Sequence, residues 1–290
     1  MGKISYYKNN KIKEVLSKEL NLNKKDISFD SEIIGGMSNE TFLYKDINSK
    51  KYAVHYSTSG YDLFVKRAAE YDALDKLKDL EIIQKPIYLS NKLRIFEYVE
   101  GKSLNKMDYK AYYANVSESF KKLHNSNKLF KYNYNPFKYI KYIEKLDDVE
   151  FNELYYKSMD ILNKNKKELE KRKLYPCHND LQPSNLVLTD NNEIHILDFE
   201  FAKNNDYLFD IASFGNIDFN DSLNLIKIYN PNYTENDIKI LKLWRIYINC
   251  LWYLVALKKE LMGYSPILKL DFNEIAMYFL NKNKSIIETL

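Results

Sequence analysis

One polar segment between apolar strands constrains the fold of this chain more than any other feature of its sequence. The segment reads HNDLQPSN at 178–185, and two short apolar runs, LVL and IHIL, follow it. The Asn-Asn pair at 191–192 separates these runs, which is typical of a β-hairpin turn. The second run ends at Asp198, thirteen residues after Asn185. We therefore expect Asp180, Asn185 and Asp198 to meet at one edge of a hairpin.

These residues have the chemistry that phosphoryl transfer from ATP requires. The reaction needs one carboxylate to orient or deprotonate the attacking hydroxyl, and oxygen ligands that hold Mg²⁺ on the phosphates. Asp180 can supply the carboxylate, while Asn185 and Asp198 can supply the hard oxygen ligands that Mg²⁺ prefers. A single Asp at either place would equally suit a turn or a cap. The complete pattern H-N-D-x-Q-x-x-N…D-F-E predicts a kinase active site.

The composition is that of a globular protein. Hydrophobic residues make up 45% and charged residues 29%, and a net charge of +4 is too small to predict nucleic-acid binding.

Residues 1–20 are charged and lack an apolar core, so we expect no secretory signal. The longest apolar stretch, 247–257, is too short for a bilayer and predicts a buried helix. Cys177 and Cys250 lie far apart, which agrees with a reducing cytoplasm.

The pattern along the chain predicts an α+β fold with two lobes. Predicted strands occupy 29–56, 82–88 and 92–99. Predicted helices occupy 11–20, 63–80, 112–123, 140–146, 153–173, 237–261 and 273–282. We therefore predict a small β-rich nucleotide-binding lobe at 1–97, a hinge at 98–101, and a larger, mainly helical catalytic and substrate-binding lobe at 102–290. The active site is expected in the cleft between them.

The HND segment, Gln182 and the run DFEFA at 198–202 resemble the motifs of choline/ethanolamine kinases more closely than those of the related aminoglycoside phosphotransferases. A glycine segment is similar to the choline kinase phosphate loop and consists of Gly35, Gly36, Met37, Ser38 and Asn39. Two glycines let backbone N–H groups approach phosphates, although Gly-Gly alone would equally suit a plain hairpin. The resemblance extends from about residue 30 to residue 265 and implies a two-lobed protein-kinase-like fold.

The resemblance implies a role for each matching position. Asp180 would be the base, and Asn185 and Asp198 would bind Mg²⁺. His178 and Gln182 belong to the same catalytic segment, where we expect His178 to hydrogen-bond the loop backbone and not to transfer protons. ATP would place its adenine against the hinge, at Glu97, Tyr98 and Val99.

One position departs from the kinase pattern. Kinases of this fold usually have Lys or Arg on the third strand, paired with a helix carboxylate, to hold the ATP phosphates. The matching residue here is His55, with Glu70 as the helix partner. Either His55 is protonated in place, because a carboxylate and bound phosphates favour imidazolium, or another residue supplies the charge. The candidates for that second case are Lys51, Lys66 and Arg67.

The acceptor is expected to bind in the helical lobe. Aromatic faces backed by carboxylates recognise a quaternary ammonium through cation–π attraction. The family pattern Leu-Trp-x-Leu-Trp is matched by LWYLV, in which Trp252 is present and Val255 replaces the second Trp. The resemblance also implies acceptor contacts from the acids Glu200 and Asp210, and Tyr264 could form a further wall.

Three functions fit this sequence. The first is an ATP- and Mg²⁺-dependent kinase that phosphorylates choline, ethanolamine or another amino alcohol. The second is an aminoglycoside or other small-metabolite kinase, although a polycationic substrate would require several carboxylates and fewer rings. The third is a pseudokinase that binds nucleotide or choline without transfer. The family has one further acid after the segment that contains Asp210. This acid has no clear counterpart here, because Asn216 and Asp218 lie on either side of its position, so the choice of substrate stays open.

Overall fold

The computed structural model describes residues 4–33, 39–57, 65–145, 149–268 and 270–290. The strands in these ranges are β1 Ser28–Ile33, β2 Asn39–Lys45, β3 Lys51–Ser57, β4 Pro86–Leu89, β5 Leu93–Glu97, β6 Lys102–Ser103, β7 Tyr175–Cys177, β8 Leu186–Leu188, β9 Ile194–Ile196 and β10 Lys203–Asn205. The helices are α1 Tyr6–Leu20, α2 Arg67–Leu77, α3 Tyr113–His124, α4 Pro136–Glu144, α5 Glu153–Lys164, α6 Lys166–Glu170, α7 Tyr207–Phe214, α8 Phe219–Tyr229, α9 Glu235–Leu261, α10 Tyr264–Leu268, α11 Phe272–Asn281 and α12 Asn283–Glu288.

The first third of the chain forms an antiparallel sheet with strand order β1-β2-β3-β5-β4, which confirms the predicted β-rich part. Helix α1 starts earlier than predicted because Ser5 caps it by accepting a hydrogen bond from the Lys8 amide. Its apolar side chains pack with the sheet in one buried cluster that includes Ile12, Val15, Leu16, Phe42, Tyr44, Val54 and Ile95. Burial of this amphipathic stripe fixes α1 on the sheet.

A second, three-stranded sheet with order β6-β8-β9 carries the predicted hairpin. Its edge strand β6 directly follows the hinge, and Lys102 pairs with Leu188. Gly101 precedes β6 with φ +148°, and a Cβ there would lie 2.3 Å from the Leu188 carbonyl oxygen. Only glycine allows this close approach, so the predicted hinge lies directly against the hairpin at this residue.

The segment between α2 and β4 is also bonded to the hairpin. The Ile196 amide donates to the Ile82 carbonyl at 2.7 Å, and the Gln84 amide donates to the Ile196 carbonyl at 3.2 Å. The β-rich and helical parts of the chain therefore meet through backbone hydrogen bonds as well as through side chains.

Helix α9 is the centre of the helical part, with 27 residues and a capping box made by Thr234 and Asp237. It is long and apolar enough to cross a membrane, yet 78% of its most apolar window is buried inside the protein, as in a core helix. The predicted helix at 153–173 is instead two helices, because Asn165 ends α5 and precedes α6. Helices α7 and α8 were not predicted.

Candidate active site

The hairpin brings the predicted metal ligands to one end, as expected. Leu186 at the start of β8 pairs with Ile196 at the end of β9. The Leu197 amide then donates to the Asn185 carbonyl at 2.9 Å. Asn185 and Asp198 are therefore neighbours, one just before β8 and the other two residues past β9.

The side chain of Asp180 faces this end of the hairpin. Its Oδ2 accepts hydrogen bonds from Asn185 Nδ2 at 2.9 Å and from Gln182 Nε2 at 3.1 Å. Burial raises the pKa of Asp180 to about 7, while the hydrogen bond from Gln182 acts in the opposite direction. A carboxylate that is held by two donors and titrates near neutrality suits a general base.

Asp198 is held in a left-handed conformation with φ 60°, at the point where β9 ends. Burial raises its pKa well above the usual value, and the neighbouring charge of Glu200 acts in the same direction. Carboxylates buried together in this way are stabilised by a cation. Asp198 and the side-chain oxygen of Asn185 therefore fit Mg²⁺ as hard oxygen ligands.

The His178 imidazole contacts the backbone through both of its ring nitrogens. It is fully buried. Its Nε2 lies 2.8 Å from the Leu197 carbonyl, and its Nδ1 accepts from the Asp180 amide at 3.2 Å. Burial lowers the pKa of His178, so the ring is neutral with its proton on Nε2. The imidazole thus connects the catalytic loop to the end of β9.

Asp210, which we predicted as an acceptor contact, makes buried contacts with the backbone before Asp180. The carboxylate is fully buried. It accepts hydrogen bonds from the backbone amides of His178 at 2.9 Å and Asn179 at 2.7 Å, and it lies 3.0 Å from His124 Nε2. Asp210 therefore fixes the backbone immediately before Asp180. The sequence showed an acid after an apolar run, but not which amides it would meet.

A second polar chain, which the sequence did not reveal, reaches Asp180 from α9. Arg245 Nη2 donates to Asn216 Oδ1 at 3.1 Å, and Asn216 Nδ2 donates to Gln182 Oε1 at 2.8 Å. Asn216 and Asp218 lie on either side of the position of the further family acid. Asn216 contacts Gln182 and so belongs to the site, whereas Asp218 caps α8. Burial lowers the pKa of Arg245 to about 9. This chain fixes the orientation of the Gln182 amide toward Asp180.

The predicted nucleotide side contains a buried ion-pair network. Arg94 and Arg67 both contact Glu70, at 3.0 and 2.8 Å, which differs from the predicted pairing of Glu70 with His55. Glu200 also belongs to this network, 3.4 Å from Arg67 and 3.6 Å from Arg94. It therefore lies beside the arginines, and its charge also acts on Lys259, which lines the pocket described below. Arg94 is the member that the sequence missed.

The other candidate cations lie away from this network. Lys51 Nζ pairs with Glu100 at 3.0 Å and lies 5.2 Å from the centre of the Tyr98 ring, at the hinge. Lys66 Nζ lies 4.0 Å from the centre of the Tyr132 ring. Of the three candidates, only Arg67 is in the network.

The predicted nucleotide site has two further parts, the predicted hinge and the glycine segment. The Tyr98 amide donates to the Lys51 carbonyl at 3.1 Å, and Gln84 Nε2 donates to the Glu97 carbonyl at 3.1 Å. These bonds hold the chain that leads into Val99. Gly35, Gly36, Met37 and Ser38 lie outside the described residues, and Asn39 begins β2.

A largely apolar pocket opens beside the catalytic loop. Its described lining residues are Val65, Tyr134, Tyr139, Asn179, Phe201, Phe209, Ile248, Leu251, Trp252, Val255 and Lys259. Trp252 and Val255 are the two predicted cage positions, and the lining also includes Asn179, next to Asp180. The buried Tyr264 is not among these lining residues.

One charged residue lines this pocket among the residues that the structure describes. Lys259 is only 4% exposed. Burial lowers its pKa to about 8, although the charge of Glu200 acts in the opposite direction. The pocket therefore combines aromatic walls with a lysine.

Comparison with known proteins defines the class of this fold and site. The sequence profile of the choline/ethanolamine kinase family matches residues 31–250, about three quarters of the chain. The chain therefore belongs to the choline/ethanolamine kinase family, whose members are phosphotransferases with an alcohol acceptor.

Particular relatives agree with this assignment. Protein LicA of Haemophilus influenzae is 26% identical over 267 residues, covering 83% of this chain and 76% of that protein. The crystal structure of choline kinase LicA from Streptococcus pneumoniae superposes with a TM-score of 0.80 at 22% identity, covering 98% of this chain and 100% of that one. Aminoglycoside 2'-phosphotransferase-IIIa has a TM-score of 0.68 at 15% identity, covering 96% and 98%. The predicted α+β kinase-like fold is thus confirmed.

Proposed function

We propose that this protein transfers the γ-phosphoryl group of ATP to the hydroxyl of a small amino alcohol of the choline or ethanolamine type. One observation carries this proposal: Asn179 lines the aromatic pocket, while the next residue, Asp180, faces the predicted metal ligands. An alcohol bound against Trp252 would thus lie beside the base. Family membership supports the same reaction, and a LicA structure that contains AMP shares this fold, with a TM-score of 0.78.

Asp180 would orient the acceptor hydroxyl and accept its proton as the oxygen attacks the γ-phosphorus. The hydrogen bonds from Gln182 and Asn185 hold its carboxylate in place for this step. Asn185 and Asp198 would hold Mg²⁺, which neutralises charge on the phosphates when bound. Residues 1–97 and 102–290 would then form the two lobes, with adenine at the hinge 98–101 and the protein in the cytoplasm.

The residues that line the pocket and the catalytic residues help to rank the alternative functions. An aminoglycoside carries several ammonium groups and requires several carboxylates, whereas the described lining residues are mostly aromatic or aliphatic and include no carboxylate. The intact arrangement of Asp180, Asn185 and Asp198 favours an active kinase over a pseudokinase.

An ADP-release assay with choline, ethanolamine and kanamycin tests the proposal. We expect turnover with one of the amino alcohols, and a decrease in kcat of about 10²- to 10⁴-fold in Asp180→Asn. Asp190→Asn, an exposed Asp at the far end of the same hairpin, is the matched control and should keep full activity. Nucleotide binding without turnover on any acceptor would instead indicate a pseudokinase.

A further inference from the structure

The strand that usually carries the phosphate-binding cation carries a neutral residue here. His55 lies in the middle of β3, with its ring 5.4 Å from that of Phe96 in an edge-to-face contact. Removal from bulk water lowers the pKa of His55 to about 3, and the charges of Arg94 and Arg67 act in the same direction. The imidazole is therefore uncharged at neutral pH, and of the two explanations that the sequence left open, the structure favours a charge from another residue.

The residue directly opposite His55 on the neighbouring strand is Arg94. The two strands are antiparallel, and the register pairs His55 with Arg94. Residues opposite each other in this way project from the same face of a sheet, with Cβ atoms about 5 Å apart. A long side chain on β5 can thus place its charge close to where a Lys or Arg on β3 would place it.

The contacts of Arg94 are those expected of that cation. Its Nη1 lies 3.0 and 3.2 Å from the two carboxylate oxygens of Glu70 on α2. The same nitrogen lies 3.6 Å from Glu200, two residues past Asp198. Arg94 therefore connects the helix carboxylate to the segment that follows the predicted metal ligand. A guanidinium keeps its proton across the physiological pH range, which an imidazole does not.

We propose that Arg94 is the positioning residue that replaces the third-strand cation of this kinase, and that it favours binding of the nucleotide phosphates. Arg94 is fully buried, so it acts through its neighbours and not by a direct contact with substrate. It holds Glu70 in place, and together with Arg67 it balances the charges of Glu70 and Glu200. Without Arg94, only Arg67 would balance the two carboxylates, so one negative charge would remain uncompensated beside the triphosphate of ATP. The inference rests on the proposed use of ATP.

Because the effect is electrostatic, it depends on the number of phosphates. ATP should lose more affinity than AMP when the charge of Arg94 is removed, whereas a merely structural defect would weaken both ligands equally. The ratio of the ATP and AMP dissociation constants is therefore the diagnostic quantity.

Calorimetric titration of the full chain with Mg·ATP and with AMP provides the test, with thermal unfolding as a check on folding. In Arg94→Met, which removes the charge and keeps the length, we expect the Kd for ATP to rise roughly tenfold and that for AMP less than about twofold. Arg94→Lys should restore most of the ATP affinity. His55→Gln, which removes the competing candidate for this charge, should change both constants by less than about twofold.

Two results would overturn the inference. One is an unchanged ratio of the ATP and AMP constants in a folded Arg94→Met protein. The other is a rise of roughly tenfold or more in the ATP constant of His55→Gln with the AMP constant unchanged, since this would show that His55 carries the charge. His55→Gln leaves the ion pairs of Arg94 with Glu70 and Glu200 in place, so it remains informative even if Arg94→Met does not fold. Failure of wild-type turnover would refute the proposed function but leave both binding results interpretable.

Discussion

Asp210→Asn separates a structural from a substrate-binding role for Asp210. The wild-type carboxylate receives two backbone amides and faces His124 in a fully buried site. The side-chain amide of Asn has only one oxygen, so it can replace only one of the two acceptor oxygens of the carboxylate. Its NH₂ group would face a backbone N–H group, and that N–H group would lose its acceptor. Each hydrogen bond to a charged acceptor contributes about 1.5–3 kcal/mol, and a buried group left unsatisfied costs about 1–3 kcal/mol.

These contributions predict a loss of roughly 3–5 kcal/mol in the free energy of unfolding. That is a large part of the 5–15 kcal/mol that is typical of folded proteins. Because the two amides belong to His178 and Asn179, we also expect kcat to fall as the loop before Asp180 shifts. The KM for the acceptor should change little in the protein that remains folded.

Urea unfolding, followed by circular dichroism, measures the first quantity, and steady-state kinetics measures the second. Asp218→Asn is the control, because Asn caps a helix as well as Asp does and stability should change by less than about 0.5 kcal/mol. An Asp210→Asn protein with wild-type stability and a raised acceptor KM would refute this reasoning and restore Asp210 to the acceptor site.

Two further predictions concern the pocket and the hinge. Lys259→Gln should lower the KM for choline at pH 7 by roughly threefold to tenfold, since it removes a positive charge near a cationic substrate. This difference should shrink above pH 8, where wild-type Lys259 loses its proton; an equal ratio of KM values at pH 7 and pH 9 would contradict it. Gly101→Ala should destabilise the protein by at least about 2 kcal/mol, because its Cβ would lie 2.3 Å from the Leu188 carbonyl oxygen. Thermal unfolding measures this loss, and an unchanged Tm would show that the hinge is not constrained as described.

The sequence predicted those parts of the fold that local patterns encode. Alternating apolar residues and turn pairs located β1 to β5 and the catalytic hairpin, and Asn192 adopts the left-handed turn conformation, with φ 59°. The same local reasoning missed α7, because seven of its eight residues are buried and it has no polar face to reveal helical periodicity. It also joined α5 and α6, since Asn165 interrupts the helix without a Pro or Gly to mark the break.

Arg94 and Arg245 were not predicted as site residues, and Asn216 was named without its partners. All three act through partners that lie far away in sequence, and no local pattern specifies such partners. One signal was present, because Arg94 is the charged residue in the buried run Leu93 to Phe96, whose other members are apolar. A lone charge in a buried strand requires a partner, and the cross-strand position of His55 could have directed attention to it.

The backbone bonds between β9 and the segment after α2 bear on how the enzyme can be controlled. In protein kinases, displacement of the helix that carries the paired glutamate switches activity off. Here α2 leads directly into Ile82 and Gln84, which are bonded to the strand that ends at Asp198, and Arg67 reaches Glu200 beyond it. Moving α2 outward would break these bonds together. We therefore expect α2 to move together with the hairpin that leads to Asp198, and not independently of it.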